Sequence, residues 1–339
     1  MTTTKDTKVT KGKHRVTELC EPIGAMNLTI EQFTGCLLGL ATGDALGAPY
    51  EGGALERLVW RLIGRTRDGC LRWTDDTQMA MDLANSLLEE NGLQPDALAR
   101  RFAAGYRWSR GYGPGAARVL KRIRRGEAWE SASKAVFAEG SYGNGAAMRA
   151  PVLALFFTTD RDALLQAARV SAMVTHAHPL GIEGAVAMAL AAQALLIGRS
   201  ASQVIHDVQT VCSTSEFSER LKTAAAWIDA GETPGPKRVA TTLGNRMTAP
   251  GSCPTALYVA LRHLEMPFES MMQFSIECRG DVDTIGAMAG ALWGIANGAE
   301  RLPTVSLEAR DELADIASRI FARYLESESP TTKDTKGTK

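Results

Sequence analysis

Residues 279–298 read RGDVDTIGAMAGALWGIANG. Gly286, Gly290, Gly294 and Gly298 recur at every fourth position, set among Ala, Met, Leu, Ile and Trp. That spacing places the glycines in a row along one face of a helix. Each glycine in a helix interior costs about 1 kcal/mol relative to alanine, so a row needs an offsetting gain. Close approach of a second backbone would supply it. A matching row, Gly35, Gly39, Gly43 and Gly47, stands in IEQFTGCLLGLATGDALG, residues 30–47. Gly47 and Gly298 also qualify as helix stops. The two rows predict two central, tightly packed helices.

The helical pattern extends nearly throughout. Ala- and Leu-rich segments recur at 31–48, 76–90, 95–108, 115–125, 161–174, 180–198, 217–230, 254–264, 284–298 and 306–325, and strand-like alternation is scarce. The expected fold class is all-α, one domain over residues 27–325. Residues 231–254, rich in Gly, Pro and Thr, read as a long loop, either a lid or a disordered insertion. Residues 1–26 read as a disordered or extended N-terminal arm and 326–339 as a disordered tail. TTKDTK occurs in both, at 3–8 and 331–336, with almost no apolar content to bury.

Of the 339 residues 45% are hydrophobic, enough for a large core, and Lys plus Arg balances Asp plus Glu at 38 each. No strong basic field exists for nucleic acid or an anionic membrane. The six cysteines are scattered without a CxxC pair, which argues against structural zinc. The longest apolar run, Ala185 to Ile197, is too short to span a bilayer. With no signal-peptide pattern at the N-terminus, the expected location is cytoplasmic, with reduced thiols and no membrane partner.

Acids stand at the starts of helices. In WTDDTQMAMDLANSLLEE (73–90), Asp75 and Asp76 precede an amphipathic helix that the spacing starts near Thr77. Asp75 could serve as an N-cap, with Gln78 three residues on completing a capping box. Asp281 and Asp283 similarly precede the second glycine-rich helix, Asp44 lies in the first, and Glu51 just follows it. Two arrangements are open. The acids lie apart as ordinary caps, or Glu51, Asp75, Asp76, Asp281 and Asp283 converge and cations neutralise them. Oxygen ligands without cysteine suit Mg²⁺ or Mn²⁺, and two divalent ions nearly balance the five carboxylates. Thr74 and Thr284 would add hydroxyls to the same shell.

GDALGAPYE (43–51), WTDDTQMA (73–80), RGYGPGAARVL (110–120), GSYGNGAAMRAP (140–151), THAHP (175–179) and GDVDTIGAMAGAL (280–292) occur in this order. In this combination the chain resembles the ADP-ribosylglycohydrolase family over roughly residues 31–303. The resemblance implies a large orthogonal helical bundle with a binuclear Mg²⁺ or Mn²⁺ centre in a cleft. It implies Thr74, Asp75, Asp76, Asp281, Asp283 and Thr284 as the metal shell, and Glu51 beside it as an acid–base group. Asp44 would sit behind the ligands. Ser141, Tyr142, Gly143, Asn144 and Gly145 would form the ADP-ribose-binding loop, with His176 contacting the same ligand and Tyr112 covering the adenine or ribose. Gly143 and Gly145 would let backbone amides approach a diphosphate, with a helix N-terminus after Ala146 behind them. Arg149 reads as the partner of a buried acid.

The implied activity is removal of ADP-ribose from a modified protein, most readily from arginine. The alternative is an immunity protein that neutralises an ADP-ribosyltransferase toxin through its N-terminal arm, with or without hydrolysis. Family members often read GGDTDT at the last acids; here Arg279 and Val282 stand where that pattern has glycine and threonine.

Overall fold

The computed structural model describes residues 27–328; both TTKDTK stretches and the expected N-terminal arm lie outside them. Sixteen α-helices follow in order: α1 (Ile30–Gly47), α2 (Ala54–Ile63), α3 (Asp75–Glu89), α4 (Pro95–Gly105), α5 (Pro114–Arg124), α6 (Trp129–Ala135), α7 (Pro151–Phe156) and α8 (Arg161–Met173). The second half comprises α9 (Pro179–Leu196), α10 (Ala201–Gln209), α11 (Ser215–Asp229), α12 (Pro236–Leu243), α13 (Ala249–Arg262), α14 (Phe268–Cys278), α15 (Val282–Asn297) and α16 (Arg310–Glu328). Among the described residues there is no strand, only isolated bridges such as Gly143 to Thr248. The fold is all-α.

α1 and α15 pack antiparallel through the two glycine rows. A Cβ added at Gly39 would fall 2.2 Å from the Gly290 carbonyl oxygen, and one at Gly43 would fall 2.0 Å from that of Gly286. The reverse holds as well: a Cβ at Gly290 would meet the Gly39 oxygen at 2.2 Å. The last contact joins Gly47 to Asp283, whose Cα would lie 2.6 Å from an added Cβ. Gly47 therefore packs inside the pair rather than ending a helix by a left-handed turn. Gly298 does end its helix, at φ 78°. The antiparallel register sets the C-terminal end of α1 beside the N-terminal end of α15.

Around this pair one contiguous apolar cluster extends from Leu28 to Tyr324. α9 flanks it. This helix has 18 residues of mean hydropathy 1.5, longer than the apolar run read from sequence, and 83% of it is buried within the protein. Its apolar length is accounted for by the core it fills.

The expected long loop at 231–254 is instead mostly helix. Its prolines start helices: Pro236 is the first residue of α12 and Pro250 the second of α13, where no intrahelical N–H is required. Pro254 lies further inside α13 and cannot donate to the Pro250 carbonyl. The Arg220 guanidinium takes that carbonyl instead.

Replacing Gly39 by alanine is expected to destabilise the protein by about 3 kcal/mol or more, since the clash is with backbone and no rotamer relieves it. Gly235→Ala, at a site with nothing within 4 Å, is expected to change stability by less than about 0.5 kcal/mol. Urea unfolding of the two variants measures the difference.

Candidate active site

The helix pair delivers Glu51, just beyond α1, to Asp281 and Asp283 at the start of α15. One carboxylate oxygen from each lies within 4.8 Å of the others. Asp75, Asp76 and Thr284 line the same cavity, of about 240 Å³. The separate acidic segments converge, and the reading of these acids as scattered caps is set aside. Thr74 Oγ1 caps α3 by accepting from the Asp76 amide at 3.2 Å, so Asp75 is not the cap the sequence suggested. Both aspartates thereby keep their carboxylates for the cavity. Thr74 itself is buried behind them and does not line it.

Asp44 explains the local geometry of α3. It is fully buried and accepts from the Thr74 amide at 3.0 Å, the Thr77 amide at 3.1 Å and the Thr77 hydroxyl at 2.6 Å. A residue of the glycine-rich helix thus pins the TDDT turn in place. From the other side Arg110 clamps the strip before it. Its guanidinium forms a bidentate pair with Glu308 at 2.7 and 2.9 Å, donates to the Trp73 carbonyl at 2.9 Å and lies 3.6 Å over the Trp73 ring. Neither Glu308 nor this role of Arg110 stands out in the sequence, because the two residues are 198 positions apart.

The cluster is electrostatically overloaded. Burial first, then neighbouring carboxylates, push Asp75 and Asp76 well above the usual carboxylate range. The same causes raise Asp281 to about 8, while burial and the surrounding acids hold Glu51 at about 7 despite its hydrogen bond with Asp283. Asp283 is raised by burial and by Glu51. Among the described residues none of the five forms an ion pair with Lys or Arg. Asp76 Oδ2 is buried with no hydrogen-bond partner. An oxygen-only donor set with one acceptor oxygen unsatisfied fits hard divalent cations such as Mg²⁺ or Mn²⁺.

The loop 141–145 lies at the cavity, with its side chains engaged in ways the sequence does not show. Ser141, Gly143, Asn144, Gly145 and His176 all line the cavity. The Asn144 amide, however, donates to Asp281 and to Ser252 Oγ, so it orients an acid of the cluster. A Cβ at Gly145 would lie 2.7 Å from His176 Cε1, so this glycine makes room for the imidazole. His176 hydrogen-bonds Thr175 through Nδ1 at 2.8 Å, and burial together with the Arg149 charge lowers its pKa to about 3, leaving the ring neutral. No helix begins directly behind Ala146. A 3₁₀ turn spans Asn144–Ala146, and besides the acid-bearing starts of α3 and α15 the N-terminus of α5 faces the cavity, through Gly113, Pro114, Gly115 and Ala116.

Three side chains lie elsewhere than the sequence suggests. Tyr112 is not among the side chains that line the cavity: its ring is buried in the apolar core, 4.9 Å from that of Tyr106. The Tyr142 ring is half exposed and packs on His178, outside the cavity, while its carbonyl accepts from Ala249. Among the described residues Arg149 pairs with no acid. It is fully buried, donates to the Gly145 and Ser171 carbonyls and the Thr175 hydroxyl, and sits over the Phe102 ring. Phe137, unremarked in the sequence, is half exposed and lines the cavity beside Gly115.

Residues 26–330 match the family model for ADP-ribosylglycohydrolase. The chain is 34% identical over 344 residues to ADP-ribosylhydrolase ARH3 of Mus musculus, covering 86% of this chain and 92% of the relative. It is 33% identical over 346 residues to the Homo sapiens ADP-ribosylhydrolase ARH3, covering 87% and 95%. A solved structure described as an ADP-ribosylglycohydrolase-related protein complex superposes with a TM-score of 0.64 at 25% identity, covering 86% of this chain and 98% of that one.

Raised carboxyl pKa values stabilise the metal-free fold at low pH and cease to do so as pH rises through the folded values. The melting temperature of chelator-treated protein is therefore expected to fall between about pH 5 and about pH 8.5, the window set by Glu51 near 7 and Asp281 near 8. Added Mg²⁺ should raise it more at the upper end. Asp283→Asn is expected to raise the metal-free melting temperature and to shrink the Mg²⁺-induced shift, both read by scanning calorimetry.

Proposed function

The chain belongs to the ADP-ribosylglycohydrolase family, a hydrolase that removes ADP-ribose, and from that premise we propose a metal-dependent reaction on ADP-ribosylated protein at the carboxylate cavity. The observation that carries this reading is the convergence of five carboxylates, three of them buried and two half-buried, with no ion pair to Lys or Arg among the described residues. Asp75, Asp76, Asp281 and Asp283, with Thr284, would hold two Mg²⁺ or Mn²⁺ ions. When bound, the ions supply charge neutralisation and Lewis-acid polarisation.

The protein's own groups account for the rest. Glycosidic cleavage develops positive charge on the sugar and needs a proton moved to or from oxygen or nitrogen at the reacting carbon. Glu51 stands half-buried at the cavity wall, outside the set of aspartates that would hold the ions, which is the position of an acid–base group. Asn144 fixes the Asp281 carboxylate, and Asp44 fixes the turn that carries Asp75 and Asp76. The free amides at the start of α5 suit the diphosphate, since a helix N-terminus favours an anion. Phe137 offers adenine an aromatic face. These distant contacts would fix the ribose against the acids.

Arginine is the acceptor first expected from the sequence. Arg57, Arg246 and Arg279 line the adjoining outer cavity, and they oppose a further guanidinium there. Serine-linked ADP-ribose is therefore expected to be the better substrate when the two linkages are compared side by side.

Incubation with ADP-ribosylated protein and Mg²⁺ is expected to release free ADP-ribose, detected by mass spectrometry, and chelator should abolish the release. No release from either linkage would overturn the reading. Glu51→Gln is expected to lower kcat about 100-fold or more. Phe137→Ala is expected to raise KM about tenfold with a smaller effect on kcat, measured by steady-state kinetics.

A further inference from the structure

A second cavity, of about 800 Å³, adjoins the carboxylate site and shares Glu51 and Asp281 with it. The first cavity holds the α5 amides and the 141–145 loop, so the outer one faces the acceptor side of the reacting bond. Arg57, Arg246 and Arg279 line it, all exposed, from three separate segments of the chain. None of them forms an ion pair among the described residues. Arg57 is aimed by a single bond, its Nε donating to the Gly52 carbonyl at 3.1 Å. Among the described residues the carboxylates on these walls are Glu51 and Asp281, both of which also line the inner site.

Arg279 is held in an unfavourable conformation. It caps α14 at φ 58° and ψ −170°, a region disfavoured for any residue with a side chain. Its neighbour Gly280, at φ 79°, has no room for a Cβ against the Asn245 carbonyl. The tight turn is fixed by that contact and by the Asp281 amide, which donates to Asn245 at 3.0 Å. A guanidinium is thus carried at the rim of the site in a conformation that glycine would take without strain.

The geometry points to an acidic protein segment as the occupant of this groove: the residue bearing ADP-ribose is flanked by Asp or Glu side chains that pair with Arg57, Arg246 and Arg279. This assignment rests on the hydrolase reading above and names its substrate class. A protein segment is favoured over a nucleotide polyanion because the same cavity is lined by the apolar side chains of Met247 and Ile276 and by polar Asn245 and Thr248. Tyr50 alone offers a face for base stacking.

The test compares two synthetic serine-ADP-ribosylated peptides of equal length, one flanked by Asp and Glu and one by Lys, with Mg²⁺-loaded full-length protein. The kcat/KM ratio is expected to favour the acidic peptide about tenfold at low salt. It should fall toward unity between about 0.01 M and about 1 M salt. The paired variant Arg246→Glu with Arg279→Glu should invert the ratio. Arg279→Gly serves if that variant does not fold: the ratio should fall while the melting temperature rises as the backbone relaxes. Equal rates on the two peptides at low salt would overturn the inference and leave the hydrolase reading intact. No ADP-ribose from either peptide would remove the hydrolase reading and the inference with it. Polyglutamate is expected to compete better than polyadenylate of equal charge; the reverse order would overturn the assignment to an acidic protein segment.

Discussion

The site depends on the backbone contact between α1 and α15. The facing glycine rows let carbonyl oxygens stand where a Cβ would otherwise be, 2.0 to 2.2 Å from the built positions at Gly43, Gly35 and Gly39. Dispersion and close packing along that seam offset the propensity cost of the glycines. The seam also sets register. With Gly47 against Asp283, Glu51 can only emerge beside the first residues of α15. A one-turn slip would carry the acids about 5.4 Å apart and separate the carboxylates.

That rigidity is what allows the acids to be held together against their own repulsion. Buried carboxylates without counter-charge either take up protons or take up cations, and the raised pKa values of Glu51 and Asp281 describe the first outcome in the absence of metal. The same arrangement favours the second outcome when divalent ions are available. The neighbouring groups serve the geometry: Asp44 and Arg110 fix the TDDT turn, Asn144 fixes Asp281, and neutral His176 fills the space that Gly145 leaves. The arginine-lined outer groove adjoins this acidic centre and shares Glu51 and Asp281 with it.

Much of this was legible in the sequence because it is periodic or local. The glycine spacing marked both central helices, and the acids beside them marked the cavity. What escaped depends on contacts across long separations or on competition between local signals. Pro236 and Pro250 read as loop residues because proline breaks helices in their interior and starts them at their ends. Asp75 looked like a cap, but Thr74, one residue earlier, takes the amide. Tyr112 sits between flexible glycines in the sequence, yet its ring finds more apolar surface in the core. Asn144 belongs to a loop that faces the cavity, while its own side chain is spent on Asp281, 137 residues away.

The central claim is that these carboxylates form one divalent-cation centre. Titration of the chelator-treated protein with Mn²⁺, followed by electron paramagnetic resonance, measures it most directly. The expected result is loss of the free Mn²⁺ signal up to about two ions per chain, with Asp76→Ala removing most of that uptake. A free-ion signal that grows in proportion to added Mn²⁺ from the first addition would contradict it.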